Sequence, residues 1–195
     1  MENVSGAILA GGGSTRMGRD KAGLSLGDRS VIESIYRVMS QAFSNIIINR
    51  SRPLTLNAVY IEDYYKQHGP LGGLHAVLSS AGSEYVYVTA CDTPFIQGEV
   101  IQFLRTSLTP GIDAVVPVYE KRVQPLAGIY HTRVEKYCAQ LLEEGERKMQ
   151  SLLDQINVLY VADFPGISDS NLCWHFFNMN SREDYRTALE KIRTE

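Results

Sequence analysis

One N-terminal stretch constrains the fold of this chain more than any other: an apolar run that ends in consecutive glycines. Residues 4–10 are mostly apolar, as in a short buried β-strand. Residues 11–13 are all glycine, and hydroxyl side chains follow together with Arg16 and Lys21. Glycine allows the backbone to approach an anion closely, and successive N–H groups can surround it. The stretch therefore predicts a strand followed by a phosphate-binding loop, in which Arg16 and Lys21 pair with phosphate oxygens.

Two standard phosphate-binding motifs do not fit this loop. A P-loop places its lysine directly after the second glycine, whereas residues 19 and 20 separate Gly18 from Lys21. A dinucleotide-binding fingerprint that began at Gly11 would need a third glycine where Arg16 stands. The alternative to a phosphate site is a glycine-rich turn that carries two solvated cations.

Length and charge limit the class of protein to which such a loop can belong. With 195 residues, the chain is expected to form one domain, residues 1–195. A net charge of −3 argues against a general binder of nucleic acid or of a membrane surface. Neither a signal peptide nor a membrane-spanning run is predicted, so the expected location is cytoplasmic. The three cysteines lie far apart without a CxxC spacing, which argues against a zinc site.

The rest of the chain alternates between strand-like and helix-like segments. Apolar runs predict strands at residues 46–48, 58–61, 85–90, 113–118 and 158–161. Helical spacing predicts helices at residues 30–43, 74–78, 100–108, 133–144, 149–155 and 181–193. Residues 124–130 contain a proline and are predicted to be extended, at a sheet edge or bulge. The alternation predicts an α/β fold of three layers, with a mainly parallel central sheet and helices on both faces.

Polar side chains follow the predicted strands, at the end of the sheet where ligands of such folds bind. Asn49 follows the second strand and Asp63 the third, and both could form hydrogen bonds with a base or a ribose. Asp92 follows the strand at residues 85–90, where its carboxylate could hold Mg²⁺ that bridges nucleotide phosphates. Each also has a purely structural interpretation. Asn49 could be a turn residue at the end of a strand, Asp63 a solvated carboxylate in a turn, and Asp92 a turn aspartate before Pro94.

Two further segments are candidates for substrate contacts. Gly72 and Gly73 would let the N-terminus of a helix approach a base or ribose closely; the alternative is a Pro-Gly turn that enters a helix. Asn178 and Asn180 lie two residues apart, so they share a face if the backbone is extended and could contact a second substrate. The alternative for this pair is the N-cap region of the last helix.

Five motifs carry a resemblance to a known family. LAGGGSTRMGRDK resembles the LAGGxSxRMGxDK signature of nucleotidyltransferases of the molybdenum cofactor guanylyltransferase type. The likeness continues, in order along nearly the whole chain, in GPLGGL, CDTPF, QPLAGIY and NMNSRED. The last motif departs from the family pattern, because Ser181 and Arg182 stand where the family usually has Thr-Pro.

The resemblance implies a Rossmann-like nucleotidyltransferase fold and a specific reaction. Mo-molybdopterin and GTP would give the guanine dinucleotide form of the cofactor and pyrophosphate, with Mg²⁺ as cofactor. Proteins that deliver the molybdenum cofactor or accept it are implied as possible partners. By motif position, contacts to GTP are implied for Leu9, Ala10, Gly11, Lys21, Asn49, Asp63 and Asp92. Gly12 and Gly72 complete the predicted nucleotide-binding set.

The resemblance also implies the roles of the charged and amide side chains. Arg16 would contact the phosphates, Asp92 would bind Mg²⁺, and Asn178 and Asn180 would face the pterin. The predicted catalytic residues are Arg16, Lys21 and Asp92. Three alternatives are a molybdopterin cytidylyltransferase, a sugar-1-phosphate nucleotidyltransferase and a non-catalytic nucleotide-binding or adaptor protein. The LAGG and GPLGG motifs favour guanine by analogy.

Overall fold

The computed structural model describes residues 3–11 and 21–194, and a mainly parallel β-sheet lies at its centre. The strands are β1 (Val4–Leu9), β2 (Ser25–Leu26), β3 (Arg29–Ser30), β4 (Ile46–Asn49), β5 (Val59–Ile61), β6 (Tyr85–Ala90), β7 (Ala114–Tyr119), β8 (Arg122–Val123), β9 (Ile129–His131) and β10 (Val158–Val161). The helices are α1 (Val31–Ala42), α2 (Gly69–Ser80), α3 (Gly98–Thr106), α4 (Glu135–Glu143), α5 (Met149–Leu153), α6 (Asp169–His175) and α7 (Arg182–Arg193). The central sheet has the order β10-β7-β9-β6-β1-β4-β5, and β8 pairs with β7.

Strand β1 lies inside the sheet and is parallel to both of its neighbours, β4 and β6. Its side chains alternate between the two faces: Ala7 and Leu9 pack in one apolar cluster and Ile8 in the other. A strand that is buried on both faces needs apolar residues at successive positions, which explains the short apolar run at the start of the chain.

Helices cover both faces of the sheet, as the sequence predicted. On one face, α1, α3 and α7 contribute buried apolar residues to the cluster that contains Ile8. On the other, α2, α4 and α5 contribute to the cluster that contains Leu9. Helix α1 begins at a capping box, in which the Ser30 backbone N–H donates to the Glu33 carboxylate at 2.6 Å. Among the helices in the described ranges, none combines the length and apolar character needed to cross a membrane.

The placement of residues 124–130 differs from the prediction. Strand β9 lies between β6 and β7, antiparallel to both, and not at an edge of the sheet. Pro125 begins a 3-10 turn (Pro125–Ala127) that precedes the strand, so the residue without an N–H stays outside the ladder. Helix α6 and the short β2–β3 hairpin were also not predicted, because neither segment is long enough to show an apolar period.

Candidate active site

The carboxyl ends of four parallel strands meet at one edge of the sheet. In the register of the ladders, Leu9 of β1 is paired with both Asn49 of β4 and Ala90 of β6, and Asn49 is paired with Ile61 of β5. The Ala10 N–H then donates to the Asn49 carbonyl at 3.0 Å, so the chain leaving β1 stays beside β4. The polar residues that follow these strands are therefore neighbours in space.

A hydrogen-bonded pair links the ends of β4 and β5. The Asn49 side-chain amide donates to the Asp63 carboxylate at 2.8 Å. Asn49 is only 1% exposed, whereas Asp63 is half-buried, so the amide is held by the protein and in turn orients the carboxylate. A Cβ atom on Gly11 would lie 2.6 Å from Asn49 Oδ1, which explains why glycine is needed at this point of the loop.

A cavity of about 290 Å³, here called the first cavity, opens beside this pair. Its lining consists of Gly11, Asn49, Arg50, Ser51, Glu62, Asp63, Lys66, Gln67 and Gly69. Carboxylates and cations are both present, so the cavity offers acceptors and donors to a polar ring such as a nucleobase. Arg50, Lys66 and Gln67 were not predicted from the sequence to belong to the site. Of these, Gln67 has a φ of 64°, a left-handed conformation that is uncommon outside glycine.

Gly72 lies in the first part of helix α2 and does not line the first cavity. A Cβ atom on Gly72 would lie 2.9 Å from the Tyr65 carbonyl oxygen and 4.0 Å from Asp63 Oδ2. The missing side chain therefore lets the segment that carries Asp63 pack against α2. This packing supports the position of Asp63, and a direct contact of Gly72 with a nucleotide stays a prediction.

A second cavity, of about 160 Å³, contains Asp92 and lies at the end of β6. Its lining consists of Thr89, Ala90, Asp92, Thr93, Ile96, Gln124, Pro125, Leu126, Ala127, His175, Phe176 and Asn178. Because β1 lies between β6 and β4, the two cavities flank the carboxyl end of β1. Two compartments on either side of one loop suit an enzyme that joins two substrates.

The segment that contains Asn178 and Asn180 is tied to Asp92 through the backbone. Both asparagines are exposed while Met179 between them is fully buried, as expected for an extended segment with both amides on one side. The Met179 N–H donates to the Asp92 carbonyl at 2.7 Å. Asn178 shares the second cavity with Asp92, whereas Asn180 is absent from the described lining of that cavity. Ser181 is the N-cap of α7, so neither asparagine serves as its cap.

His175 also lines the second cavity, and the sequence analysis did not single it out. The side chain is 1% exposed, and burial lowers its pKa to about 3, so the ring is neutral near pH 7. The Gln97 N–H donates to Nδ1 at 2.9 Å, which leaves the ring proton on Nε2. Within the described part of the chain, Nε2 is buried and has no hydrogen-bond partner.

A divalent metal at this edge would depend on Asp92. The described residues contain no group of three or more His, Cys, Asp or Glu side chains that could hold a metal ion. Mg²⁺ in nucleotide sites commonly uses one or two carboxylates and completes its shell with phosphate oxygens and water. A half-buried carboxylate in the wall of a cavity at the end of β6 fits that pattern.

Three predicted site residues lie wholly or partly outside the description. Gly12 and Arg16 fall in residues 12–20, between the two described ranges. Lys21 begins a 3-10 turn (Lys21–Gly23), and only its backbone is described.

The fold is an α/β fold whose two cavities lie at the carboxyl ends of parallel strands, where ligands of such folds bind. Residues 6–159 match the family model described as the MobA-like NTP transferase domain. The chain belongs to this family, and it is an enzyme of the nucleotidyltransferase class.

Relatives and a solved structure extend the match to almost the whole chain. A protein of Bacillus mycoides (strain KBAB4) named "Probable molybdenum cofactor guanylyltransferase" is 34% identical over 203 residues, covering 100% of both chains. A protein of Bacillus licheniformis with the same name is 37% identical and covers 95% of this chain and 94% of its own. The crystal structure of molybdopterin-guanine dinucleotide biosynthesis protein A from Archaeoglobus fulgidus has a TM-score of 0.85 at 26% identity and covers 98% of this chain and 100% of that chain. These matches confirm the predicted family and fold class.

Proposed function

We propose that this protein transfers GMP from GTP to Mo-molybdopterin and releases pyrophosphate, acting as one nucleotidyltransferase domain. The observation that supports this most directly is the pair of cavities that flank the end of β1, one beside Asp63 and the other beside Asp92. The relatives named "Probable molybdenum cofactor guanylyltransferase", which match over nearly their whole length, support a guanylyl transfer. The predicted cytoplasmic location suits these soluble substrates.

The two cavities divide the substrates between them. The base and ribose of GTP occupy the first cavity, where the Asp63 carboxylate accepts hydrogen bonds and Asn49 keeps it oriented. By motif position, Leu9, Ala10, Gly11, Gly12 and Lys21 are the further residues assigned to GTP. Molybdopterin enters the second cavity, where Asn178 presents its amide, and Asn180 lies on the same side of the segment but outside the described lining of the cavity.

The chemical step is an in-line displacement that needs no covalent bond to the protein. An oxygen of the terminal phosphate of molybdopterin bonds to the α-phosphorus of GTP, and the bond from that phosphorus to the β-phosphate oxygen breaks. The electron pair of the broken bond leaves with pyrophosphate. The protein contributes by holding the two substrates in line, and Arg16 and Lys21 stabilise the charge on the departing pyrophosphate. Asp92 would hold Mg²⁺, which supplies positive charge to the phosphate oxygens when bound.

The substrate assignment is tested by product analysis. The protein is incubated with Mo-molybdopterin, Mg²⁺ and one of GTP, CTP or ATP, and the dinucleotide is identified by mass spectrometry. The guanine dinucleotide alone is expected. A cytosine dinucleotide would indicate the cytidylyltransferase. In a parallel reaction a sugar 1-phosphate replaces molybdopterin, and its turnover would indicate the sugar-1-phosphate nucleotidyltransferase. GTP binding without any product would indicate a non-catalytic protein.

The role of Asp92 is tested by substitution. We expect Asp92→Asn to lower kcat by about 100-fold or more, because the amide removes the negative charge that holds the metal. Pyrophosphate release at saturating substrates measures the rate, and thermal unfolding checks the fold. Asp154→Asn is a matched control, since Asp154 follows α5 and lies at the opposite end of the sheet. Near-normal kcat in folded Asp92→Asn would contradict the metal assignment.

A further inference from the structure

His175 is a buried hydrogen-bond donor in the wall of the second cavity, and the proposed reaction leaves it without a role. Its Nδ1 accepts the Gln97 N–H at 2.9 Å, so the neutral ring carries its proton on Nε2. Nε2 has no acceptor among the described residues, and it is shielded from solvent. A buried donor without a partner destabilises the protein, and an acceptor that reaches it removes this cost. Such a group in a cavity wall is a candidate for a ligand contact.

The surroundings of His175 connect it to the acceptor side of the reaction. It lines the same cavity as Asp92, Gln124 and Asn178, and it lies only three residues before Asn178 in the chain. The Phe176 ring packs at 4.7 Å from the His175 ring, centroid to centroid, in an edge-to-face arrangement that fixes the imidazole plane. Gln97, the N-cap residue of α3, donates its backbone N–H to Nδ1 on the other side of the ring. The direction of the Nε2–H is therefore set before any substrate binds.

The charge state of the imidazole selects the kind of acceptor. Burial lowers the pKa of His175 to about 3, so the ring does not carry a positive charge at neutral pH. A neutral N–H donor gains less from a phosphate than a cation does, and it suits an uncharged carbonyl oxygen or ring nitrogen. The pterin ring system provides acceptors of both kinds, whereas the phosphates of both substrates are anionic.

We propose that His175 is a substrate-positioning residue, whose Nε2–H donates to an uncharged acceptor atom of the pterin ring in the second cavity. Because Nε2 is covered in the substrate-free protein, the wall of the cavity shifts when the pterin reaches it. This inference rests on the proposed function, because it takes the pterin as the second substrate. The proposed contact differs from those of the asparagine amides, because a buried ring with a fixed orientation makes it. The contact would discriminate pterin substrates from acceptors that carry only a phosphate.

Two substitutions separate the two nitrogens of the ring. His175→Asn retains an acceptor near the position of Nδ1 for the Gln97 N–H but has no donor at the position of Nε2. His175→Gln can place an amide donor near the position of Nε2. We expect His175→Asn to raise the KM for molybdopterin about tenfold, with the KM for GTP unchanged, and His175→Gln to restore part of this loss. His131→Asn is the matched control, because His131 lies at the other end of the sheet, next to Glu84.

A pterin that lacks the side-chain phosphate tests the contact directly, as a competitive inhibitor. If the Nε2–H bonds the ring, inhibition of His175→Asn by this compound weakens by the same factor as the KM for molybdopterin rises. An unchanged KM for molybdopterin in folded His175→Asn overturns the proposal and leaves the donor to a buried water. A raised KM with unchanged inhibition also overturns it, because the contact would then be with the phosphate. If the unsubstituted protein forms no dinucleotide at all, the proposed function has failed instead.

Discussion

His175 illustrates, at the scale of a single residue, how the fold alters the chemistry of a side chain. Burial lowers its pKa from 6.5 to about 3. The unfolded chain therefore binds a proton in a pH range where the folded protein does not. The free energy of unfolding must then fall as the pH decreases from about 6.5 toward 3, and it is highest at neutral pH.

Burial of His175 should make the free energy of unfolding depend measurably on pH. Between pH 6.5 and pH 5 we expect the free energy of unfolding to decrease by about 2 kcal/mol through His175 alone. Denaturant unfolding at several pH values measures the slope. The carboxylates with lowered pKa values, such as Asp113, lose their contribution only at lower pH. Burial also lowers the pKa of His131, so the slope that remains in a His175 variant is the part contributed by His131. His175→Asn should remove most of the slope, and an equal slope in both proteins would contradict the burial effect.

At the scale of secondary-structure elements, the start of the last helix was predicted from the sequence, whereas one tight turn was not. The last helix was predicted to begin at residue 181, and the structure shows a capping box there, with the Ser181 N–H donating to the Asp184 carboxylate at 2.7 Å. The β7–β8 turn was not predicted, because its central residues, Glu120 and Lys121, are not typical of hairpin turns. Both have left-handed φ values, of 47° and 62°, as in a type I′ turn.

The conformation of this turn predicts a stabilising substitution. We expect Lys121→Gly to raise the free energy of unfolding by about 1 kcal/mol, because glycine adopts a positive φ without steric strain. Lys148→Gly is a matched control, since Lys148 has an ordinary φ of −86° and should gain no stability from the same change. Thermal and denaturant unfolding of both variants give the comparison. A loss of stability in Lys121→Gly would show that the turn is not strained.

At the scale of the whole molecule, the site exists because parallel strands place their carboxyl ends together. Asn49 and Asp63 are separated by 14 residues in the chain and are joined by a hydrogen bond of 2.8 Å. Asp92 and Met179, much farther apart in the chain, are joined at 2.7 Å. Gly11, two residues after the end of β1, packs against Asn49 with no room for a side chain. The backbone after β1 and the first cavity therefore depend on the same contact.

This dependence predicts that a single methyl group at Gly11 disturbs the first cavity. Gly11→Ala places a Cβ at 2.6 Å from Asn49 Oδ1, so the amide and with it Asp63 must move. We expect GTP to bind at least about tenfold more weakly, measured by calorimetry. Gly98→Ala is the matched control, because a Cβ there has no atom within 4 Å. Equal GTP affinity in the two variants would place the nucleotide elsewhere.

Local patterns in the chain were sufficient to predict the α/β class, the central parallel strands, the helices on both faces and the polar residues at the strand ends. These properties depend on apolar periodicity and on residues that follow one another, which a sequence displays directly. Tertiary packing alone decided that β9 enters the interior of the sheet, that His175 is buried with a single tautomer, and that Arg50, Lys66 and Gln67 share a cavity with Asp63. These features depend on neighbours that are distant in the chain. Burial and hydrogen-bond partners set the charge and the accessibility of a side chain, and they exist only once the chain has folded.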